Sequence, residues 1–354
     1  MVTARIAGRT TPLRIFVVEF PEISEHLRSS DELLRIELRW WSTVFRIAPK
    51  KGASMTPNKP NALTVGLLAL ALTLIGLLLP RCTAAEMEDV SMRVMTFNIR
   101  YDNPNDGENA WPHRKDVVAK VIDQHADLAG LQEVTFQQLK DLRDRLPKFE
   151  TYGVGREDGK NKGEFSPIVY RRDRFELMSG ETFWLSETPN VPGSRSWDSA
   201  ITRIVTVAKM RERASGAQFY FLNTHFDHRG AVARTKSAGM IREKLKQLDK
   251  MLPVLVTGDF NCTPDQKPYL IMIERRESDP NQHLFDALGR SDTKPTGPDS
   301  TWNGFHEIVP GRRIDFIFVS PTVKVAGHET LDARSSGRFP SDHLPVVADV
   351  QIEQ

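Results

Sequence analysis

Polar side chains recur at the ends of short apolar runs, and this pattern constrains the fold more than any other feature of the chain. From Met92 onward, runs rich in Val, Ile, Leu and Phe end in Asn, Asp, Glu or His. Such runs are typical of β-strands. The predicted strands cover residues 93–97, 128–132, 167–171, 204–210, 219–224, 254–257, 314–319 and 346–352. Only a folded sheet can bring these separated polar residues together, so we expect them to form one site.

Helical runs alternate with these strands. The predicted helices cover residues 113–124, 136–146, 231–251 and 266–275, in which apolar residues recur at three- and four-residue steps. The alternation predicts one α/β domain whose sheets are covered by helices. Four polar stretches are predicted to be long loops on the face of the site. These loops are residues 102–112, 155–164, 187–199 and 293–301.

The first 85 residues do not look like part of this domain. Residues 62–79 form an uncharged apolar run between Lys59 and Arg81, and small residues follow it. This arrangement is typical of a secretory signal that is cleaved near Ala85, and Met55 is the expected start of translation. The alternative is an uncleaved membrane anchor, because about 18 apolar residues are at the lower limit for crossing a bilayer.

The domain boundaries follow from this reading. Residues 1–54 are an upstream extension, residues 55–85 a signal peptide and residues 86–354 the folded domain. The protein is therefore expected to be exported to the periplasm or the extracellular space, and to meet a membrane only through the signal segment or an uncleaved anchor. We expect the folded domain to be a monomer.

Charge and cysteine content narrow the functional classes. Of the 48 basic and 46 acidic residues, residues 1–85 carry 11 and 6, which leaves 37 and 40 in the folded domain. A net charge near −3 does not indicate a strongly basic groove for nucleic acid. Cys262 is the only cysteine after residue 85, so the exported domain is expected to have no intrachain disulfide.

Three oxygen-bearing residues at strand ends could bind a hard divalent cation. Asn98, Glu133 and Asp342 supply one amide and two carboxylates, the ligands that Mg²⁺ prefers. Each also has an ordinary alternative: Glu133 could be a favourable charge near a helix N-terminus, and Asn98 could be a turn residue.

Further residues could handle protons. Asp259 and Asn261 follow an apolar run, and an Asp can orient or deprotonate water while an Asn amide can bind a phosphoryl oxygen. His225 and His343 have ring pKa values that are ordinarily near neutrality. Two acids, Asp315 and Glu164, are available to fix the tautomer of a catalytic histidine.

The ordered series of these residues resembles the endonuclease/exonuclease/phosphatase superfamily. The matching series is Asn98, Glu133, Glu164, His225, Asp259, Asn261, Asp315 and the Ser341-Asp342-His343 tripeptide. The resemblance implies an α/β fold, a four-layer sandwich of two mixed β-sheets flanked by helices. It also implies a metal-dependent phosphoric ester hydrolase.

The same resemblance implies roles for the individual residues. Asn98, Glu133 and Asp342 would hold Mg²⁺ or Mn²⁺. Asp259 and Asn261 would serve a second ion, or water and phosphate. Asp315 would pair with His343, and Glu164 with His225.

The sequence does not identify the substrate more closely than as a phosphate ester. We expect an exported Mg²⁺-dependent phosphodiesterase. The alternative is a secreted nuclease, for which nucleic acid would be a substrate only and which would need cations such as Arg156 and Arg203 along one groove. A noncatalytic binding module on the same fold is disfavoured, because the metal and histidine motifs are intact.

Overall fold

The computed structural model describes residues 89–275 and 283–353 of the chain. The strands are β1 (Val90–Asn98), β2 (Leu128–Gln132), β3 (Phe149–Tyr152), β4 (Ile168–Arg171), β5 (Phe175–Trp184), β6 (Ile204–Glu212), β7 (Gln218–His225), β8 (Val254–Asp259), β9 (Phe285–Asp286), β10 (Asp315–Val319), β11 (Val323–Thr330) and β12 (Val346–Ile352). The α-helices are α1 (Trp111–His125), α2 (Phe136–Arg145), α3 (Ala231–Leu245), α4 (Lys267–Ile273) and α5 (Ala287–Arg290), and a 3₁₀ helix spans Pro104–Asn109.

The strands form two sheets of six. The first sheet has the order β11-β12-β1-β2-β4-β3, and the second has the order β5-β6-β7-β8-β10-β9. Each sheet contains a parallel pair, β1 with β2 and β7 with β8, and the other neighbours are antiparallel. Helix α1 connects the first parallel pair and α3 the second, as parallel strands require a crossover.

Apolar side chains fill three layers of packing. Between the sheets, fully buried residues such as Val94 and Leu128 of the first sheet meet Phe221 and Leu255 of the second. Helices α1 and α2 pack on the other face of the first sheet, and α3 and α4 on the other face of the second. The predicted four-layer sandwich is therefore confirmed.

Several element boundaries differ from the prediction. Helix α3 ends at Leu245 rather than at residue 251, because the chain continues in tight turns in which Gln247 N–H donates to Lys244 O. Strand β5 was not predicted, since its middle residues are exposed and lack an apolar run. No helix within the described residues is long and apolar enough to span a bilayer, and the predicted signal segment at residues 62–79 lies outside them.

A buried polar layer joins the two sheets above the apolar core. Gln132 Nε2 of β2 donates to Asn223 Oδ1 of β7 at 2.7 Å, and Thr257 Oγ1 of β8 donates to the same oxygen at 3.2 Å. Asn223 Nδ2 returns a hydrogen bond to Leu131 O at 2.7 Å. Gly130 permits this contact, because a Cβ there would lie 2.1 Å from Thr257 Oγ1 and 2.5 Å from Asn223 Oδ1.

We predict that Gly130→Ala lowers the free energy of unfolding by about 1–3 kcal/mol, because the methyl group would separate the two sheets. The matched control is Gly239→Ala, a helical position where a Cβ meets no atom within 4 Å. The control should be neutral or stabilising by up to about 1 kcal/mol. Urea unfolding measures both variants, and equal effects would contradict the role of Gly130.

Candidate active site

The polar strand ends meet at one edge of the sandwich. Asn98 ends β1, and its amide nitrogen donates to Glu133 Oε1 at 3.1 Å and to Asp259 Oδ2 at 3.0 Å. Glu133 directly follows β2 in the first sheet, whereas Asp259 ends β8 in the second. Asn98 thus ties together groups from both sheets, and the structure brings these predicted residues to one place.

His343 and Asp315 form a hydrogen-bonded pair. His343 Nδ1 lies 2.8 Å from Asp315 Oδ2, and Thr301 Oγ1 donates to the same oxygen at 2.6 Å. Burial opposes the charge on His343, but Asp315 and Asp259 together raise its pKa well above the ordinary value. The raised pKa favours the imidazolium form of His343, and Asp315 holds the ring in one orientation.

His225 lies in a different environment. Its Nε2 is 3.2 Å from Asp259 Oδ2 and 3.0 Å from Asn261 Nδ2. Burial, followed by the charges of Arg203 and Arg156, lowers the pKa of His225 well below the ordinary value. The lowered pKa favours the neutral form of His225, despite its contact with a carboxylate.

Asp259 stands between the two histidines. Its Oδ2 is also 3.8 Å from His343 Nε2. Burial, and then repulsion from Asp315, raises the pKa of Asp259 to about 7. A carboxyl group with such a pKa can exchange a proton near neutral pH, which is the property that general acid–base catalysis requires.

The two acids predicted to bind metal, Glu133 and Asp342, lie next to strands of the first sheet, β2 and β12. Burial, and then repulsion from Glu133, raises the pKa of Asp342, although His343 and Arg100 act in the opposite direction. Two carboxylates that repel each other in a buried site fit a divalent cation, which would neutralise both. Glu133 does not serve as a helix cap, because Thr135 and Gln138 form the capping box of α2.

A second group of potential ligands was not predicted as such. Ligand atoms of Asp259, Asp315 and His343 lie within 4.8 Å of one another, and all three residues are buried. The hydrogen bond between His343 and Asp315 engages one atom of each residue. A charged His343 has no free nitrogen for a metal, so this group could hold a cation only with His343 deprotonated. The number and identity of the cations stay a prediction.

Asn98 does not present its amide oxygen to the acids. That oxygen accepts a hydrogen bond from Arg100 N at 3.0 Å, while the amide nitrogen faces the carboxylates. The assignment of oxygen and nitrogen rests on this hydrogen-bond pattern. Its role as a metal ligand stays a prediction, and what the structure provides is a bridge that orients Glu133 and Asp259.

Glu164 does not pair with His225. Both of its carboxylate oxygens accept from Arg156, at 2.6 and 2.9 Å, because the guanidinium offers two parallel N–H groups that an imidazole cannot match. Glu164 and His225 nevertheless line the same small cavity. The predicted orientation of His225 by Glu164 is therefore replaced by contacts with Asp259 and Asn261.

The backbone is strained at three residues of the site. Arg100, Glu133 and Asn261 have φ values of 57°, 60° and 46°. Residues other than glycine rarely adopt such values, and they persist where the surrounding contacts enforce them. At Glu133 the contacts are visible, since Asn98 and Tyr101 N–H bind its two carboxylate oxygens.

Sequence reasoning missed several residues that shape the site. Arg100 makes a bidentate ion pair with Asp106, and Arg114 donates to Ile99 O at 2.7 Å and to Pro340 O at 2.8 Å. Arg114 thereby fixes the loop after β1 against the loop that carries Asp342. Nothing in the sequence distinguishes this buried arginine from the exposed residues of α1, because its partners are backbone carbonyls.

Residues 95–343 match the Endonuclease/Exonuclease/phosphatase family, and the chain belongs to this family. The predicted resemblance is confirmed. The family and the relatives below define the class of protein as phosphoric ester hydrolases that depend on a divalent metal.

Two solved structures and one relative illustrate the match. An endonuclease/exonuclease/phosphatase from Bacteroides vulgatus is 41% identical with a TM-score of 0.71, and the match covers 75% of this chain and 100% of that one. The mannosyl-6-phosphatase of Bacteroides thetaiotaomicron is 36% identical with a TM-score of 0.68, over 73% and 99%. Nocturnin of Drosophila melanogaster is 26% identical over 77% of this chain, which spans 48% of the length of nocturnin.

We predict that Asp315→Asn and His343→Ala each lower kcat by on the order of 10²-fold or more while the fold is retained. Because the two residues act as one hydrogen-bonded unit, the double variant should be little worse than either single variant. Steady-state kinetics measure the effect, and Asp349→Asn, 55% exposed in its side chain on β12, is the control. Rate losses that multiply would mean that the residues act independently.

Proposed function

We propose that the chain is an exported, Mg²⁺-dependent phosphoesterase that hydrolyses a small, sugar-like phosphate monoester. One observation carries the hydrolytic part: a protonated His343, an Asp259 with a pKa near 7 and the Glu133–Asp342 acid pair converge at one sheet edge. This combination supplies acid, base and cation-binding groups within one buried site.

The proposed roles follow from the protonation states. Asp259 accepts a proton from the attacking water, since its pKa leaves much of it ionised at neutral pH. His343, charged and oriented by Asp315, neutralises charge that develops on the phosphoryl oxygens or the leaving group. A divalent cation held by Glu133 and Asp342 would add Lewis-acid stabilisation of that charge.

Two observations favour a small monoester over nucleic acid. The chain is 36% identical to a mannosyl-6-phosphatase along 99% of that enzyme. The folded domain is slightly acidic, and two cations that a nuclease groove would need, Arg156 and Arg203, instead line one small cavity beside His225. The diester expected from the sequence uses the same acid and base, so the assay must include it.

A substrate panel tests the proposal. The full chain with Mg²⁺ is assayed against mannose 6-phosphate, p-nitrophenyl phosphate, bis-p-nitrophenyl phosphate, plasmid DNA and RNA. We expect the highest kcat/KM for the sugar phosphate. Faster cleavage of bis-p-nitrophenyl phosphate than of the sugar phosphate would support the phosphodiesterase function expected from the sequence. Faster cleavage of DNA or RNA would support a nuclease.

Metal dependence is a separate prediction. We expect EDTA to abolish hydrolysis, and Glu133→Ala to raise the Mg²⁺ concentration needed for half-maximal rate by tenfold or more, about 1.4 kcal/mol. The loss follows from removing one of two charged oxygen ligands. Glu176→Ala, at a side chain that is 42% exposed, is the control. Hydrolysis that continues in the presence of EDTA would refute the metal requirement.

Export is tested on the chain itself. We expect the mature protein to begin near Ala85 or Glu86, because the apolar run of residues 62–79 has the length and flanking residues of a secretory signal. Cell fractionation with intact-mass measurement checks this. A cytoplasmic chain that retains residues 62–79 would contradict it.

A further inference from the structure

A buried arginine beside the active site has guanidinium nitrogens without hydrogen-bond partners among the described residues. Arg203 is 3% exposed, and its Nε and Nη1 have no hydrogen-bond partner within the described residues. Its remaining nitrogen, Nη2, lies 3.3 Å from His228 Nδ1. Buried N–H groups of a cation that lack hydrogen-bond partners are costly, so proteins rarely keep them without a compensating role.

The nearest carboxylate forms a long ion pair with Arg203 but no hydrogen bond. Asp227 Oδ2 is 3.9 Å from Arg203 Nε, beyond hydrogen-bond distance. That oxygen already accepts from Ser199 Oγ, Ala200 N and Ile201 N. Several backbone N–H groups hold the pKa of Asp227 well below its usual range, against the effect of burial. Asp227 is thus committed to the loop that it closes.

Arg203 and Arg156 line one cavity with His225. The cavity is small and partly open to solvent, and Glu164, Phe165, Ser166 and Ile204 complete its walls. Glu164 neutralises Arg156 through two hydrogen bonds, whereas Arg203 forms a longer ion pair with Asp227 at 3.9 Å. His225 adds little positive charge to the cavity, because burial and the two arginines lower its pKa. The cavity therefore presents guanidinium nitrogens without hydrogen-bond partners in the described part of the chain, and it has room for about one water-sized atom, such as a single phosphate oxygen.

We propose that this cavity is an anion subsite, in which Arg203 and Arg156 bind oxygens of a phosphate group of the substrate. The planar guanidinium groups suit the geometry of a phosphate, and charge-assisted hydrogen bonds would satisfy the unpartnered nitrogens. The inference rests on the proposed phosphoesterase function. The bound group is either the phosphate that is cleaved or a second phosphate of the same molecule.

Binding of inorganic phosphate tests the subsite without hydrolysis. Isothermal titration calorimetry of the full chain with Mg²⁺ should give a phosphate Kd that rises about 10- to 100-fold in Arg203→Met. Arg156→Met, in a loop, should act in the same direction. Glu164→Gln should lower the Kd, because it frees Arg156 from its carboxylate partner.

The control is Arg213→Met, at a side chain that is 49% exposed and belongs to the far end of the second sheet. Thermal unfolding identifies any variant that fails to fold. If Arg203→Met does not fold, Arg156→Met and Glu164→Gln still test the proposal. A phosphate Kd unchanged in Arg156→Met and Glu164→Gln would overturn the subsite. Since binding is measured directly, this result is independent of whether the substrate panel identifies a monoester.

Kinetics then distinguish the two sources of the anion. If the cleaved phosphate is bound, Arg156→Met and Arg203→Met should lower kcat/KM for both p-nitrophenyl phosphate and fructose 1,6-bisphosphate. If a second phosphate is bound, only the bisphosphate should be affected, chiefly through KM. Both outcomes support the subsite and assign it, whereas unchanged kinetics for both substrates would overturn it.

Discussion

The hydrogen bond between Gln132 and Asn223 is the contact on which the arrangement of the site depends. It joins the central parallel strands of the two sheets inside a layer that excludes water. Asn223 donates to Leu131 O and Pro167 O and accepts from Gln132 and Thr257, so its amide is fully satisfied. A slip of one residue in β7 would turn this amide to the other face and leave buried polar groups unpaired, so the network fixes the register of the strands.

Register matters because alternate residues of each strand share one face. In β7, Phe221 lies in the apolar core, Asn223 in the polar layer and His225 at the site; in β8 the same order is Leu255, Thr257 and Asp259. Along each of these strands, three successive inward-facing side chains are thus an apolar one in the core, a hydrogen-bonded one in the polar layer and an ionisable one at the site. The polar layer separates the site from the hydrophobic core, and it holds both strands so that Asp259 reaches two histidines and Asn98.

The sequence predicted the fold and the shared site because both depend on local patterns. Apolar runs identified the central strands, and a polar residue at the end of each run marked the edge where these strands meet. Edge strands such as β5 were missed, since an exposed strand has no apolar run. The partner of Glu164 was also wrong, and the structural arginines were not found. Glu164 pairs with Arg156 inside one loop, and Arg114 binds backbone carbonyls, and neither arrangement leaves a pattern in the sequence.

The two histidines show how position alone assigns opposite protonation states. Both are buried, and burial lowers the pKa of each. Carboxylates on two sides reverse this effect for His343, whereas two arginines reinforce it for His225. One imidazole beside two arginines and another beside a cluster of acids make the site asymmetric. One side is suited to bind an anion and the other to bind a cation and transfer protons, as hydrolysis of a phosphate ester with a divalent metal requires.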